Sequence, residues 1–340
     1  MAMSFKITLQ PSGHSFEMDD NEVVLDAAIR HGLSLQYGCR NGVCGACMGK
    51  VVDGEVAYDK GLPGAITEAE DAVGQALLCC ARARSDLVIE AREIGSASEV
   101  KVRKMPARVV RLERLADDVI RLYLKLPDTE RMQFLAGQYI DIILPDGRRR
   151  SFSIANAPHN DEFLELHVRL IEGGEFTAHV FNRMQEKDIL RIEGPFGSFT
   201  LQESSERPMI FIAGGTGFGP IKAIIEHAIQ EGIERPMFLY WGVRARQDLY
   251  LNELPETWQQ RDNFTYVPVL SAAKDSDQWP GRTGFVHEAV LEDFASLTSY
   301  EVYASGPPVM VEAVRQGVAL KGLAGKYCYY DSFEFASDGN

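Results

Sequence analysis

Hydrophobic and polar positions change their period three times along the chain. From Phe5 to Leu9 and from Ser15 to Met18 they alternate, which predicts two short strands joined around Pro11–Gly13. Val23 to His31 follows a helical period, with Asp19–Asn21 as capping candidates and Gly32 as a stop. A loop rich in glycine and cysteine, Gly38–Gly49, comes next. Lys50–Val52 and Leu87–Ala91 read as strands, and Thr67 with Glu70 has the spacing of a capping box. Small and charged residues from Gly95 to Met105, ahead of Pro106, predict a linker.

From Ala107 the texture turns β-branched and aromatic, in runs separated by turns: Val109–Leu112, Val119–Leu126, Tyr139–Leu144, Ser151–Ala155 and Leu164–Leu170. With one helical stretch at Thr177–Arg183, and Pro195 and Gly197 at its end, this segment predicts a small antiparallel β-barrel. From Pro208 apolar strands and amphipathic helices alternate. The strands are Met209–Ala213, Met237–Trp241, Phe264–Leu270 and Glu301–Ala304; the helices are Ile221–Gln230 and Val309–Leu320. That pattern predicts a doubly wound parallel α/β domain. The expected division is 1–95, a linker at 96–104, 105–206 and 207–340.

Composition narrows the function. Of 340 residues, 45% are hydrophobic and 25% charged, enough for a core in each domain. A net charge of −14 argues against a nucleic-acid partner, which needs a basic face. Neither a signal peptide nor a membrane span is expected, because the first residues hold no long apolar run; a cytoplasmic protein is the expectation. Six cysteines then favour metal ligation over disulfides in a reducing compartment.

Their spacing is specific. Cys39-x4-Cys44-x2-Cys47, followed some thirty residues on by Cys79-Cys80, is the plant-type [2Fe–2S] arrangement. Two irons need four thiolates; a close triplet lets one loop wrap the cluster while a distant cysteine pins it to the core. Gly38, Gly42, Gly45 and Gly49 permit tight turns that aim amides at sulfur. A zinc site, which pairs two short Cys-x2-Cys units, fits less well, since only one such unit occurs. Cys80 and Cys328 are otherwise expected as buried small hydrophobes.

Two further groups suit a flavin and a dinucleotide. Arg150-Ser151-Phe152-Ser153 offers a cation for a pyrophosphate, an aromatic face for a ring system and a small hydroxyl. Gly173, Gly174 and Thr177 open the barrel's helix as a phosphate cradle. Gly214-Gly215-Thr216-Gly217-Phe218-Gly219-Pro220 lies between strand and helix, as a phosphate loop requires, and Ser305-Gly306-Pro307 makes a second turn at the same end of the sheet.

With these motifs the chain resembles the ferredoxin–NAD(P)H reductase superfamily over essentially its whole length. Within it the chain is most similar to CDP-6-deoxy-glucoseen reductases and to the reductase components of Rieske dioxygenases and di-iron monooxygenases. The resemblance implies a β-grasp plant-type ferredoxin fused ahead of an antiparallel FAD barrel and a nucleotide domain. It implies Cys39, Cys44, Cys47 and Cys79 as cluster ligands. Arg150 would hold the FAD pyrophosphate, Phe152 would cover the isoalloxazine and Ser153 would lie near its N5. His167, Val168 and Arg169 would border the flavin, and Gly173, Gly174 and Thr177 its phosphates. Gly214, Gly215, Thr216, Gly217, Gly219, Pro220, Gly306 and Pro307 would receive the dinucleotide, with Ser153 and Ser305 beside the hydride path. Phe333 and Phe335 match an aromatic C-terminal segment that approaches the flavin. The family usually has Tyr where Phe152 stands and often Cys where Ser305 stands.

The implied activity is an electron-transfer reductase. It passes electrons from NAD(P)H through FAD and the [2Fe–2S] cluster to an oxygenase docking near the cluster. A deoxysugar dehydratase as acceptor, or a redox-sensing role, are the alternatives. Arg244 or Arg246 ends the second strand of the nucleotide domain with no acid before Asp248, so a mild preference for NADH over NADPH is expected from the family.

Overall fold

The structure is a computed structural model that describes residues 4–33, 35–91, 93, 101–128 and 132–333. The chain divides into two compact units at Lys101/Val102.

In the first unit β1 (Ser4–Gln10) and β2 (Ser15–Asp19) form the expected hairpin, followed by α1 (Val24–Arg30). Then come β3 (Met48–Asp53), β4 (Val56–Ala57), α2 (Glu68–Ala72), β5 (Gln75–Leu77), β6 (Arg82–Ala83) and β7 (Leu87–Glu90). Five strands make one sheet in the order β2-β1-β7-β3-β5, with β1 and β7 parallel at its centre, the mixed sheet of a β-grasp. Ile7 and Leu9 of β1, Leu87 and Ile89 of β7 and four residues of α1 are buried.

The side-chain cap expected for α1 from Asp19–Asn21 does not form. Instead the Val24 and Leu25 amides donate to the Ala81 and Leu78 carbonyls, both at 2.9 Å. Orphan donors of a first turn take whatever acceptor the fold brings, and here it is the backbone around Cys79-Cys80.

In the second unit β8 (Arg103–Ala116), β9 (Val119–Lys125), β10 (Tyr139–Ile143), β11 (Arg149–Ser153), β12 (Leu164–Arg169) and β13 (Ile189–Phe196) pair antiparallel in the order β11-β10-β13-β8-β9-β12, with α3 (Glu175–Asn182) between the last two in sequence. The bridge Ile154–Leu166 joins the two edges, so the sheet closes into a barrel. Val109, Leu122, Ile140, Ile154, Leu166 and Ile192 fill it.

The rest of this unit is β14 (Met209–Gly214), α4 (Phe218–Gln230), β15 (Met237–Val243), α5 (Glu253–Trp258), β16 (Phe264–Leu270), β17 (Arg282–Thr283), α6 (Val286–Asp293), β18 (Glu301–Gly306), α7 (Pro308–Leu320) and β19 (Cys328–Ser332). The six strands are all parallel, in the order β17-β16-β15-β14-β18-β19. Residues of α4 and α5 pack with Phe211, Trp241 and Tyr303 on one face. Residues of α6 and α7 pack with Ile210, Tyr240 and Val302 on the other, so the domain is doubly wound. Strand order reverses between β14 and β18, which makes their carboxyl ends a switch-point crevice.

The Thr67–Glu70 capping box is present: Thr67 Oγ1 accepts the Glu70 amide at 3.3 Å and Glu70 Oε2 accepts the Thr67 amide at 2.9 Å. Thr67→Ala is expected to lower the stability of the N-terminal unit by about 1 kcal/mol. Urea unfolding followed by far-ultraviolet circular dichroism checks this, and an unchanged midpoint rejects it.

Candidate functional site

The cysteine loop reaches its geometry through left-handed backbone at Gly42 and Gly45. A side chain at Gly42 would strike Pro63 and the Cys80 sulfur, both 2.8 Å from its Cβ position, so only glycine lets the loop close. The Cys39 and Ala46 amides donate to Cys44 Sγ at 3.4 and 3.5 Å, the amide-to-sulfur pattern the glycines were expected to allow. The thiols act on one another. The Cys44 side chain, then the Asn41 and Val43 amides, pull the Cys39 thiol down to about 6, while the same Cys39 contact pushes Cys44 up. Contact with Cys47 pushes Cys79 up.

Cys79 contacts Cys80 as well as Cys47, so these contacts gather the thiols a two-iron cluster needs without sorting them between the irons. Cys80 lies 3.7 Å from Cys79, Sγ to Sγ, and pairs with no other sulfur side chain in this way. It is half-buried rather than core, a correction to the expectation: the Gly42 turn leaves it at the loop's edge. Cys328 is buried, and burial raises its thiol to about 11. Among the described residues no three His, Cys, Asp or Glu side chains surround a point fit for a single ion.

In the barrel, Arg150 and Phe152 alternate along β11 with Ser151 and Ser153. Phe152 is half-buried, with its ring 5.5 Å from that of Phe176 on α3. Arg150 reaches the Arg149 carbonyl at 2.8 Å, and Ser151 donates to Asp141 Oδ1 at 2.7 Å across the β10 pairing. The Gly174 amide and the Thr177 hydroxyl are spent on closing the turn, through Ile171 O at 3.0 Å and Gly174 O at 3.1 Å. That leaves the first-turn amides of α3, which have no intrahelical acceptor, as the cradle's donors.

The expected β12 residues divide differently. The Val168 side chain lies in the barrel core, and the buried His167 ring turns to the nucleotide domain, with Tyr250 Oη 3.0 Å from Nδ1 and Glu165 Oε1 2.8 Å from Nε2. Only the backbones of these two residues remain for a flavin edge. Arg169 Nε donates to Asp118 at 2.7 Å, and its guanidinium lies 3.0 Å from where Gly215 would carry a Cβ, so it meets the glycine loop itself.

That loop is packed backbone to backbone against the second turn. A Cβ on Gly217 would fall inside the Ser305 carbonyl oxygen, and one on Gly214 would lie 2.5 Å from Met310 Sδ. Trp241 Nε1 donates to Gly215 O at 3.0 Å. Thr216, Gly219 and Pro220 are buried behind the loop, and Pro307 caps α7. Ser305 is fully buried, and its Oγ has no partner among the described residues. Phe333 donates its amide to Gly306 O at 2.9 Å; Phe335 lies outside the described residues. Arg244 is exposed, and Asp248 is spent accepting the Ala245 amide at 2.9 Å.

One residue missed in the sequence joins the two serines. Asp331, at the end of β19, accepts from Ser153 Oγ at 3.1 Å and pairs in register with Ser305 on β18. The buried Asp331 thus ties the flavin strand to β19, the strand that runs beside Ser305. Its signal was an acid in an aromatic run, Tyr329-Tyr330-Asp331, that alternates as a strand does.

Comparison with known proteins agrees with this geometry. Residues 7–84 match the 2Fe-2S iron-sulfur cluster binding domain, 106–201 the oxidoreductase FAD-binding domain and 211–316 the oxidoreductase NAD-binding domain. The chain is 39% identical, over 97% of its length and 99% of the relative's, to the CDP-6-deoxy-L-threo-D-glycero-4-hexulose-3-dehydrase reductase of Yersinia pestis. It is 35% identical to the phenol hydroxylase P5 protein of Acinetobacter pittii, over 99% and 96% of the two chains. Among solved structures, the Amycolatopsis cytochrome P450 reductase GcoB superposes with a TM-score of 0.79 at 32% identity, covering 97% of this chain and 98% of that one. A plant-type cluster loop, an FAD barrel and a doubly wound NAD domain in this order, matched end to end by named reductases, place the chain in the family of iron–sulfur flavoprotein oxidoreductases that draw electrons from a nicotinamide dinucleotide.

Proposed function

We propose that this chain is the reductase component of an oxygenase, with Ser153, Asp331 and Ser305 at its hydride-transfer site. The observation that carries the site is the Ser153–Asp331 hydrogen bond, which ties the end of β11 to the end of β19 beside a buried, unpartnered Ser305 hydroxyl. When bound, FAD takes a hydride from the nicotinamide and the cluster takes the electrons one at a time. The protein's part is placement. Arg150 supplies charge for the FAD pyrophosphate together with the first turn of α3, and Phe152, braced by Phe176, supplies an aromatic face. Asp331 holds the Ser153 hydroxyl, and Ser305 keeps a donor free in a dry place at the switch point. Gly214–Gly217 and Gly306–Pro307, packed against each other, form the floor on which the dinucleotide would lie, and Phe333 stands beside them through its bond to Gly306. Cys39, Cys44, Cys47 and Cys79 are the ligands for the two irons.

The acceptor would dock on the N-terminal unit around the cluster loop. Val43 is 42% exposed and Leu62 39% exposed there, and Pro63 packs on Gly42. A dehydratase acceptor is the second reading, favoured by the 39% identity to the Yersinia reductase. Reconstitution decides between them: electrons delivered to an oxygenase component and not to a sugar-nucleotide dehydratase support the first.

Acid extraction and chromatography are expected to find about one FAD per chain. Arg150→Ala should lower occupancy more than Phe152→Tyr, because charge-assisted phosphate bonds are roughly twice as strong as neutral ones. Equal occupancy in the two variants, or FMN in place of FAD, refutes the assignment.

NADH should be preferred over NADPH only mildly in kcat/KM, since the exposed Arg244 tolerates a 2′-phosphate and Asp248 is not placed to repel it. A strong NADPH preference contradicts this.

A fragment from Val102 onward should reduce ferricyanide with NADH but fail with cytochrome c. Cys79→Ser in the whole chain should behave likewise and lose the reduced-state electron paramagnetic resonance signal, whereas Cys80→Ser should keep it. The reverse outcome for the two cysteines transfers the fourth ligand to Cys80.

A further inference from the structure

A buried polar network crosses from the barrel to the nucleotide domain beside the glycine loop, and its side chains are spent on one another and on backbone. Its centre is Lys222, one turn into α4 from the glycine loop and 5% exposed. Its ammonium donates to the Ala155 carbonyl at 3.0 Å and to Glu226 Oε2 at 3.1 Å, and it pairs with Glu165 Oε2 at 3.4 Å. Ala155 lies two residues beyond Ser153, and Glu165 lies on β12 four residues before Arg169.

The other Glu165 oxygen continues the network. It lies 2.8 Å from His167 Nε2, and His167 Nδ1 lies 3.0 Å from Tyr250 Oη. An ionised carboxylate only accepts, so Nε2 carries the proton and Nδ1 accepts from the phenol. Burial pushes His167 down and Tyr250 well up, and the neighbouring His167, Lys222 and Arg121 hold Glu165 down near 2 against its own burial. Burial and these partners therefore favour the neutral imidazole, the neutral phenol and the ionised Glu165 carboxylate that the hydrogen bonds use. The His167 ring also packs 3.4 Å from the Cβ position of Gly219, the last glycine of the loop.

We propose that Lys222, with Glu165, His167 and Tyr250, is a positioning device that sets the glycine loop of the nucleotide domain against the flavin strand. Their polar side-chain atoms turn to one another and to the Ala155 carbonyl rather than to a cofactor. They fix the separation of two backbones, the chain just after Ser153 and the helix just after Gly217, between which the hydride must travel. Polar groups suit this task better than apolar packing because each bond has one length and one direction, whereas apolar contacts allow sliding. The inference rests on the reading that NADH reduces FAD at this crevice.

The test uses full-length, FAD-loaded protein and anaerobic rapid mixing with NADH over a range of concentrations. Lys222→Met/Glu165→Gln removes the Lys222–Glu165 pair from both sides at once, leaving Glu226 without its lysine and Arg121 with Glu113 as its remaining partner, and Tyr250→Phe removes one hydroxyl as a milder variant. The limiting rate of flavin reduction should fall ~10- to 100-fold in the double variant and severalfold in Tyr250→Phe, the scale expected of sub-ångström to ångström misplacement. NADH affinity and FAD content should stay near wild type, and Lys222→Arg should restore part of the rate in the single-site series. Independently of activity, amide exchange in the peptide spanning Gly214–Ile221 should quicken in both variants without nucleotide present. A folded, FAD-loaded Tyr250→Phe protein with wild-type reduction rate and wild-type exchange overturns the proposal, as does a rate loss matched by equal loss of FAD. If NADH fails to reduce the flavin of the wild-type protein, the functional reading falls instead.

Discussion

Residue 217 has no side chain, and the nucleotide domain is arranged around that fact. The glycine loop leaving β14 and the turn leaving β18 run so close that any Cβ at Gly217 would occupy the Ser305 carbonyl oxygen. Gly306 and Gly214 make the same contact from the other side, 2.9 Å from Cβ position to carbonyl oxygen. This approach draws two strand ends together at the point where chain order reverses, leaving backbone and one hydroxyl where side chains would otherwise stand. A dinucleotide needs such a floor, because its phosphates are held by amides that bulk would keep away. The third strand end, β19, then brings Asp331 within reach of the barrel through Ser153. The site is thus a place where three parallel strands and one antiparallel strand end together.

Holding that junction in place requires a polar core, which is energetically indifferent at best. A buried ion pair recovers in Coulomb attraction little more than it loses in desolvation, and breaking it from one side costs about 3–5 kcal/mol. Lys222 and Glu165 are therefore a poor device for stability when compared with packed leucines. What they add is definition: the ammonium has three hydrogens and three acceptors, Ala155 O, Glu165 and Glu226, so its satisfied geometry is unique. Stacked rings take over where definition matters less. Phe218 lies on Trp241 at 4.0 Å, and Trp258 and Tyr250 close around them, anchoring the start of α4 by area.

Much of this was legible because the relevant signals are local. The cysteine spacing, the glycine loop and the change from barrel texture to strand–helix alternation each occupy a few neighbouring residues, and the three domain types follow from them. The capping box at Thr67 is a four-residue signal and held. What escaped was carried by pairing. β13, Ile189–Phe196, is not among the expected strands, Pro195 marking only the segment's end, yet it forms the middle of the barrel sheet between β10 and β8. β19 is five residues long and follows a helix and a turn; only the neighbouring β18 makes it a strand. Asp331 was missed with it. The resemblance puts His167 at the flavin edge; strand alternation turns its ring outward with Glu165, while Leu166 and Val168 face the barrel core, which leaves its backbone for that edge. The α1 cap failed for the reverse reason: a local signal lost to acceptors that arrive from residues 78 and 81.

The same physics separates what this chain shares with its relatives from what must distinguish it. Reductases serving a dehydrase, a phenol hydroxylase and a cytochrome P450 match it over nearly the whole length. The acceptors in those names differ, and a hydride site and cluster loop built for FAD and iron would answer to those groups rather than to an acceptor. On the function proposed above, recognition would lie on exposed side chains of the N-terminal unit, where substitution leaves thiol spacing untouched. The cluster loop offers such positions at Val43 and Leu62, with the exposed Asp53, Glu55 and Asp59 on the strand and turn between them in sequence. An apolar contact accompanied by exposed acids would select by charge at long range and by shape at short range, and it would favour fast, weak encounters. A one-electron carrier that must release each partner after a single transfer requires that combination, and a tighter apolar interface would slow turnover by holding the product complex.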